Sequence, residues 1–99
     1  MSVKGIVMTA KDNVATVPME TAAGTEVLAA VDDWQAKVQA SDKIPFGHKL
    51  AIKNIAKGEK IIKYGEVIGV ASTDITAGQH VHVHNLDGCR GRGDLEQVK

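Results

Sequence analysis

Three of the chain's four histidines, His80, His82 and His84, occupy alternate positions in the segment Gly-Gln-His-Val-His-Val-His-Asn. In a β-strand, successive side chains point to opposite faces, so residues at every second position share one face. The spacing therefore predicts a row of three imidazoles along one side of a strand. Imidazole titrates near neutral pH, and its unprotonated nitrogen binds metal ions. The row is a candidate for proton transfer or for metal binding.

The same row has an alternative explanation that involves no chemistry. Neighbouring histidines on one strand face lie about 7 Å apart, so they share a metal or a substrate only if another group joins them. His48, directly after Gly47, is the obvious candidate within this chain, and no carboxylate has a spacing that completes a metal site. On residue pattern alone, exposed or hydrogen-bonded histidines at a sheet edge explain the spacing equally well.

The segments that must position these histidines are rich in strand-forming residues. Residues 3–9 and 13–17 are β-branched segments on either side of a polar turn, and they predict a hairpin. Residues 25–39 fit helical spacing loosely, but Asp32 and Asp33 are typical of a turn between two strands, which we favour. At residues 44–47, Pro45 and Gly47 predict a turn that interrupts regular secondary structure.

An internal repeat organises the second half of the chain. Residues 50–61 and 70–81 align at an offset of 20, with Gly58 over Gly78, and a weaker copy surrounds Gly24. Each copy combines a strand, a turn closed by glycine and a second strand, because glycine permits a turn that a Cβ would hinder. The copies are too few and too irregular for a solenoid. The repeat predicts an all-β domain of short, folded-over hairpins.

Composition limits the function of the chain. Its 99 residues make one small domain, so an active site here is expected to be completed by another chain. Twelve basic and twelve acidic residues cancel, and no basic stripe is present, which argues against nucleic acid or an anionic membrane as partner. No apolar run approaches the roughly 20 residues of a membrane span. A single cysteine, Cys89, and no secretion signal predict a cytoplasmic protein.

Three longer motifs carry a resemblance to a known family. They are PFGHKLAIKNI at residues 45–55, GEKIIKYGEVIG at residues 58–69 and GQHVHVHNL at residues 78–86. Together with DNVA at residues 12–15 and AGT at residues 23–25, they resemble the SAF domain at the N-terminus of altronate and galactarate dehydratases. The resemblance covers nearly the whole chain. It implies a β-clip fold and a single SAF domain over residues 1–99, in the form of a separate small subunit.

The resemblance also implies an activity. The enzymes of this family remove water from a sugar acid such as altronate, giving a 2-keto-3-deoxy sugar acid, and they use Fe(II) or Mn(II). The implied partners are a large catalytic dehydratase subunit and the sugar-acid substrate, with a homo-oligomer as a further option. The metal is expected in the assembled enzyme and not tightly bound to this chain alone. We therefore expect the isolated chain to be inactive.

Site residues are transferred by motif position, with the individual acid, base and ligand roles left open. The metal candidates are the three histidines of the row. The catalytic candidates are His48, His80, His82 and His84, and the substrate-binding candidates are Lys49, Tyr64 and Asn85.

Two other functions fit the same sequence. The small subunit of a sulfolactate sulfo-lyase resembles the same family and would eliminate sulfite instead of water. A binding or assembly module without catalytic residues would use the same fold only as a surface.

Overall fold

The computed structural model describes residues 2–88, and Cys89 lies outside them. These residues contain no helix, and their nine strands form three small sheets of three strands each. The predicted all-β fold of short hairpins is confirmed, and it is consistent with an SAF-like β-clip. The strands are β1 Ser2–Gly5, β2 Val14–Thr16, β3 Glu26–Val31, β4 Trp34–Gln39, β5 Lys49–Ala51, β6 Lys60–Lys63, β7 Glu66–Ala71, β8 His80–Val81 and β9 Leu86–Gly88.

The three sheets have the orders β1-β3-β4, β2-β5-β8 and β6-β7-β9. Strands β3 and β4 form an antiparallel hairpin, which confirms two strands rather than a helix in residues 25–39. Asp32 takes a positive φ of 54° in the connecting turn, as an aspartate tolerates better than most residues. All pairs are antiparallel except β1 with β3. No helix in residues 2–88 is long and apolar enough to cross a membrane.

The hairpin predicted for residues 3–9 and 13–17 is wrong. Strand β1 pairs in parallel with β3, and β2 pairs with β5, so a single bridge between Ile6 and Thr16 joins the two segments. The buried carboxylate of Asp12 limits this pairing. It accepts hydrogen bonds from the backbone N–H groups of Met8 and Thr9, at 2.9 and 3.4 Å. Met8 therefore gives its N–H to Asp12 and not to a ladder with β2, and the antiparallel pairing stops at the Ile6 bridge.

A glycine turn occurs four times in the described residues. In each copy the glycine has a positive φ, between 79° and 100°, and the next residue donates its N–H to the carbonyl three residues earlier. The copies associate in pairs, because Thr21 bridges to Ile44 and Ile55 bridges to Ile75. The sequence repeat predicts three of the copies and misses the fourth. The four glycines are Gly24, Gly47, Gly58 and Gly78.

Two aliphatic clusters form the core, one under the β1-β3-β4 sheet and one under the β6-β7-β9 sheet. The glycine turns attach to buried small residues of these clusters. For example, Gly78 donates its N–H to the carbonyl of Ala51 at 2.7 Å, and Ala51 donates in return to Gln79 at 2.9 Å. Gly78 also packs closely against the backbone of Gln39. A Cβ on Gly78 would lie 2.3 Å from the carbonyl oxygen of Gln39, so no larger residue fits at this position.

Alanine substitutions at two of these glycines should separate backbone strain from steric contact. Gly58 has a φ of 89° and open space around it, so Gly58→Ala should cost only the left-handed conformation, about 1–2 kcal/mol. Gly78→Ala should cost a further 1–3 kcal/mol, approximately, because its Cβ overlaps Gln39. Urea unfolding of both variants measures the difference, and equal losses would contradict this packing.

Candidate functional site

Four histidine rings come together from two separate segments of the chain. His48 closes the Gly47 turn directly before β5, and His80 begins β8, which pairs with β5 in the register Leu50 to His80. The Nδ1 atom of His48 lies 2.9 Å from Nε2 of His80, within hydrogen-bonding distance. Because the two rings are 32 residues apart in sequence, the pairing of β5 with β8 creates the cluster.

The predicted strand through the histidine row ends early. Strand β8 stops at Val81, and a turn follows in which Asn85 donates its N–H to the carbonyl of His82 at 3.0 Å. The prediction that the row lines one face of a strand is therefore wrong. The rings nevertheless lie side by side, with centroids 5.6 Å apart for His80 and His82 and 5.3 Å apart for His80 and His84. His82 also stacks on His48 at 4.3 Å.

Asn85 is the residue that builds this turn. Its side-chain oxygen accepts the N–H of His82 at 3.0 Å, and its amide nitrogen donates to the carbonyl of His80 at 2.9 Å. The side chain is buried, with 4% of the residue exposed. Both ends of the amide therefore hold the backbone of the histidine segment. The structure places the side chain of this predicted substrate-binding residue against the backbone of His80 and His82, so that it holds the segment that carries the rings.

Pro45 explains why the Gly47 turn can carry a histidine. In the Gly58 and Gly78 turns, the residue after glycine is Glu59 or Gln79, and its side-chain oxygen accepts a backbone N–H within the turn at 2.6 Å. Pro45 stands where those N–H groups are found, and proline has no N–H to satisfy. The residue after Gly47 is therefore free to be His48 and to point its ring toward β8.

Three of the rings have the spacing of a metal site. One nitrogen from each of His48, His80 and His82 lies within 4.8 Å of the others, and each of these residues is half-buried. His84 is exposed and does not belong to this group. Of the predicted metal candidates, the structure brings His80 and His82 together with His48, and His84 lies outside this group. Imidazole donors suit Fe(II), Zn(II) and related ions, whereas Mn(II) prefers oxygen ligands. The three nitrogens therefore fit Fe(II) better than Mn(II).

Burial and mutual repulsion favour the neutral form of the rings. Burial, and then the charge of His48 and the other two rings, hold the pKa of His80 below its ordinary value of 6.5, although Asp42 opposes the shift. Burial, followed by His48 and Lys49, lowers the pKa of His82. A metal ion binds only the unprotonated nitrogen. At neutral pH both rings therefore have lone pairs ready for a metal or for a proton.

The predicted substrate-binding residues Lys49 and Tyr64 approach the same neighbour. Lys49 pairs with Thr16 across the β2-β5 ladder, and the Tyr64 hydroxyl donates to Oγ1 of Thr16 at 3.1 Å. Lys63 lies over the Tyr64 ring, with its Nζ 5.1 Å from the ring centroid. Burial, and then the charge of Lys63, lower the pKa of Lys49. In the sequence, nothing distinguishes Lys63 from the other lysines of residues 49–63.

A second missed residue, Asp12, fixes the turn that carries Tyr64. Asp12 is fully buried, and its carboxylate accepts the N–H of Gly65 at 2.7 Å as well as the N–H of Met8. Burial alone would raise the pKa of this carboxyl, but hydrogen bonds from Met8, Gly65 and Thr9 hold it below its ordinary value of 3.8. Tyr64 has a positive φ of 54°, an unfavourable conformation that this contact helps to maintain.

The sequence that forms this site is similar to known proteins over most of its length. Residues 3–88 match the altronate/galactarate dehydratase SAF domain. The chain belongs to this family. All the histidines, Lys49, Tyr64 and Asn85 lie within the matched residues of the SAF domain.

Individual relatives of the SAF domain fall into two groups. The chain is 48% identical to the altronate dehydratase of Escherichia coli strain K12 over 91% of its own length, but it spans only 17% of that protein's length. It is 38% identical to the (2R)-sulfolactate sulfo-lyase subunit alpha of Chromohalobacter salexigens over 87% of this chain and 95% of that subunit. A shorter match, 44% identical over 52% of this chain and 10% of the relative, is to the altronate dehydratase of Bacillus subtilis.

Replacing Asp12 by asparagine should destabilise the SAF domain in a pH-dependent way. The variant places an NH₂ group among backbone donors, which should lower the free energy of unfolding by about 1–3 kcal/mol at neutral pH. Because the pKa of Asp12 is lowered by folding, its contribution is complete above 3.8 and is lost as the pH falls through the folded-state pKa. The difference between wild type and Asp12→Asn should therefore shrink in acid.

Urea unfolding at neutral pH and at a series of pH values that decrease from the ordinary value of 3.8 measures this effect. Asp33→Asn, at an exposed turn position, is the matched control and should change stability by less than about 0.5 kcal/mol. An Asp12→Asn loss that stays constant with pH would contradict the assigned hydrogen bonding.

Proposed function

We propose that the SAF domain is the small subunit of a sugar-acid dehydratase, with altronate as the substrate, and that it acts together with a large catalytic chain. The observation that carries the proposal is the cluster of His48, His80 and His82, whose nitrogens lie within 4.8 Å of one another. The 48% identity to an altronate dehydratase over 91% of the chain supports the choice of substrate. Membership of the SAF family supports a lyase reaction of this class.

Two observations support the need for a large partner. The chain spans 17% of the E. coli altronate dehydratase, so most of that enzyme has no counterpart here. Apolar side chains also surround the histidines on the surface: Phe46 is 71% exposed next to the Gly47 turn, and Val83 is 79% exposed between His82 and His84. Exposed apolar groups at a polar site are typical of a surface that another protein covers. The partner would cover the histidine cluster and exclude water from it.

The histidines of this chain would have two roles. His48, His80 and His82 would hold Fe(II), with Mn(II) as the weaker candidate, and the lowered pKa values of His80 and His82 keep their nitrogens available at neutral pH. When bound, such a metal ion polarises carboxylate and hydroxyl oxygens of a substrate. His84, exposed and 5.3 Å from His80, is free to exchange a proton with the substrate.

Lys49 and Tyr64 would bind oxygens of the sugar acid. Both approach Thr16 on the side of the β2-β5-β8 sheet from which the Lys49 charge reaches His82. Their ammonium and hydroxyl groups donate hydrogen bonds, which suits a substrate rich in oxygen acceptors. Asn85 and Asp12 would act indirectly, by holding the turns that carry the histidines and Tyr64.

The second candidate is the small subunit of a sulfolactate sulfo-lyase. The observation that favours it is length, because the chain matches 95% of the Chromohalobacter subunit alpha. Both proposed reactions remove a leaving group from a hydroxy or sulfonated acid, so the same histidines and lysines would serve either one. A subunit that contributes only a surface for assembly is the third candidate, and it differs from both because its histidines would be dispensable.

Turnover by reconstituted complexes should distinguish these candidates. We expect dehydration of altronate only when the chain and its large partner are combined with Fe(II) or Mn(II), and not from either chain alone. His48→Ala and His82→Ala should lower kcat by at least about 100-fold, the usual contribution of a catalytic group. Lys57→Ala, an exposed position elsewhere on the surface, serves as the matched control.

The other outcomes identify the alternatives. Elimination of sulfite from (2R)-sulfolactate, without dehydration of hexonates, would select the sulfo-lyase. Full activity of the large chain by itself, or full activity of both histidine variants in intact complexes, would reduce the chain to an assembly module.

Metal binding by the isolated chain tests the ligand set separately from catalysis. Co(II) is a suitable probe because it shifts nearby NMR signals even when it binds weakly. His48→Ala should weaken binding at least about tenfold, whereas His84→Ala should leave it nearly unchanged. Binding should also weaken as the pH falls and the rings become protonated. Equal losses in the two variants would contradict the assignment of His48 as a ligand and His84 as a bystander.

A further inference from the structure

A second polar surface lies beside the histidine cluster and brings two lysines toward one tyrosine. Lys63, at the end of β6, lies over the ring of Tyr64, with 5.1 Å from Nζ to the ring centroid. Tyr64 reaches back to β2, where its hydroxyl donates to Thr16, and Thr16 is the ladder partner of Lys49. Three residues from β5, β6 and the β6–β7 turn therefore converge on one side of the central sheet.

Neither lysine forms an ion pair closer than 4 Å within the part of the chain that the structure describes. The ion pairs there join Lys37 with Glu26 and Lys43 with Glu20. Glu66, the ladder partner of Lys63, is exposed and forms no such pair. Lys49 and Lys63 are both half-buried, and their contacts through Thr16 and Tyr64 place them on the same surface. Like charges at partly desolvated positions are unfavourable unless an anion compensates them.

The backbone at Tyr64 is also held in an unfavourable conformation. A positive φ in a non-glycine aromatic residue is uncommon and costs energy on the order of 1 kcal/mol. Here the buried Asp12 carboxylate accepts the N–H of Gly65, and the side chain of Asn13 binds the neighbouring strand at Lys60 and Ile62. These three hydrogen bonds together hold the backbone that directs the Tyr64 phenol. Strain of this kind occurs at binding and catalytic sites.

We propose that Lys49, Lys63 and Tyr64 form an oxyanion subsite that binds the charged group of the substrate, a carboxylate or a sulfonate, next to the histidine cluster. Two ammonium groups supply compact positive charge, and the hydroxyl supplies a directed donor. The partial burial of both lysines strengthens their attraction for an anion compared with fully exposed side chains. The inference rests on the proposed function for the identity of the substrate, but the subsite itself binds any small oxyanion.

Binding of simple anions to the isotope-labelled, metal-free chain tests the subsite. Acetate represents the carboxylate, methanesulfonate represents the sulfonate, and sodium chloride controls for ionic strength. We expect saturable changes in the side-chain NMR signals of Lys49, Lys63 and Tyr64 with either oxyanion and none with chloride. The relative affinity for acetate and methanesulfonate indicates which charged group the subsite prefers.

Matched variants distinguish a site from general attraction to a basic surface. Lys63→Ala should weaken oxyanion binding at least about fivefold, Lys63→Arg should restore most of it by keeping the charge, and Lys57→Ala should have no effect. Unchanged backbone amide signals in the core show that each variant is folded. Equal binding by Lys63→Ala and Lys57→Ala, or shifts that do not saturate, would overturn the proposal.

Kinetics of the assembled enzyme separate this inference from the proposed function. In altronate dehydration the carboxylate stays on the product, so Lys63→Ala should raise KM for altronate by a larger factor than it lowers kcat. An active complex in which Lys63→Ala leaves KM unchanged would refute the subsite while the proposed function stands. Saturable anion binding in a chain that never supports turnover would retain the subsite and reject the proposed function.

Discussion

In every glycine turn described here, two backbone hydrogen bonds connect the turn to a buried small residue of another segment. The glycine N–H donates to the carbonyl of the small residue. The N–H of the small residue donates in return to the carbonyl of the residue that follows the glycine. The histidine site depends directly on two of these connections. Val17 binds the Gly47 turn, which carries His48, and Ala51 of β5 binds the Gly78 turn, which leads into His80. Because β5 lies between the two turns, its short ladder fixes the distance between the rings.

The glycine turns were the most predictable part of the fold, because a positive φ strongly favours one residue type. The fourth turn was missed because Pro45 and Phe46 hide its similarity to the other copies, although that proline is the change that frees the next position for His48. The hairpin error has a similar origin. Nothing in the local sequence shows that Asp12 will be buried among backbone N–H groups, since those donors include Gly65, far away in the chain.

The candidate site was predictable by residue type but not by geometry. The spacing of the histidines at alternate positions correctly predicted that His80, His82 and His84 lie side by side. Strand geometry is not the reason, because β8 ends at Val81. Asn85 closes a turn after Val81 and gathers the rings by hydrogen bonds to the backbone. An asparagine directly after the last histidine was a usable signal, because such residues often bind nearby backbone groups in turns. The position of Lys63 over Tyr64 had no such signal, because it follows from pairing between distant strands.

The central claim is that His48 and the histidine row form one electrostatically coupled cluster. NMR titration of the four imidazoles in the metal-free chain tests it most directly. We expect pKa values for His80 and His82 below 6.5, and we expect both values to rise in His48→Ala, which removes a neighbouring charge. Titration of His80 and His82 at the ordinary value, with no response to His48→Ala, would contradict it.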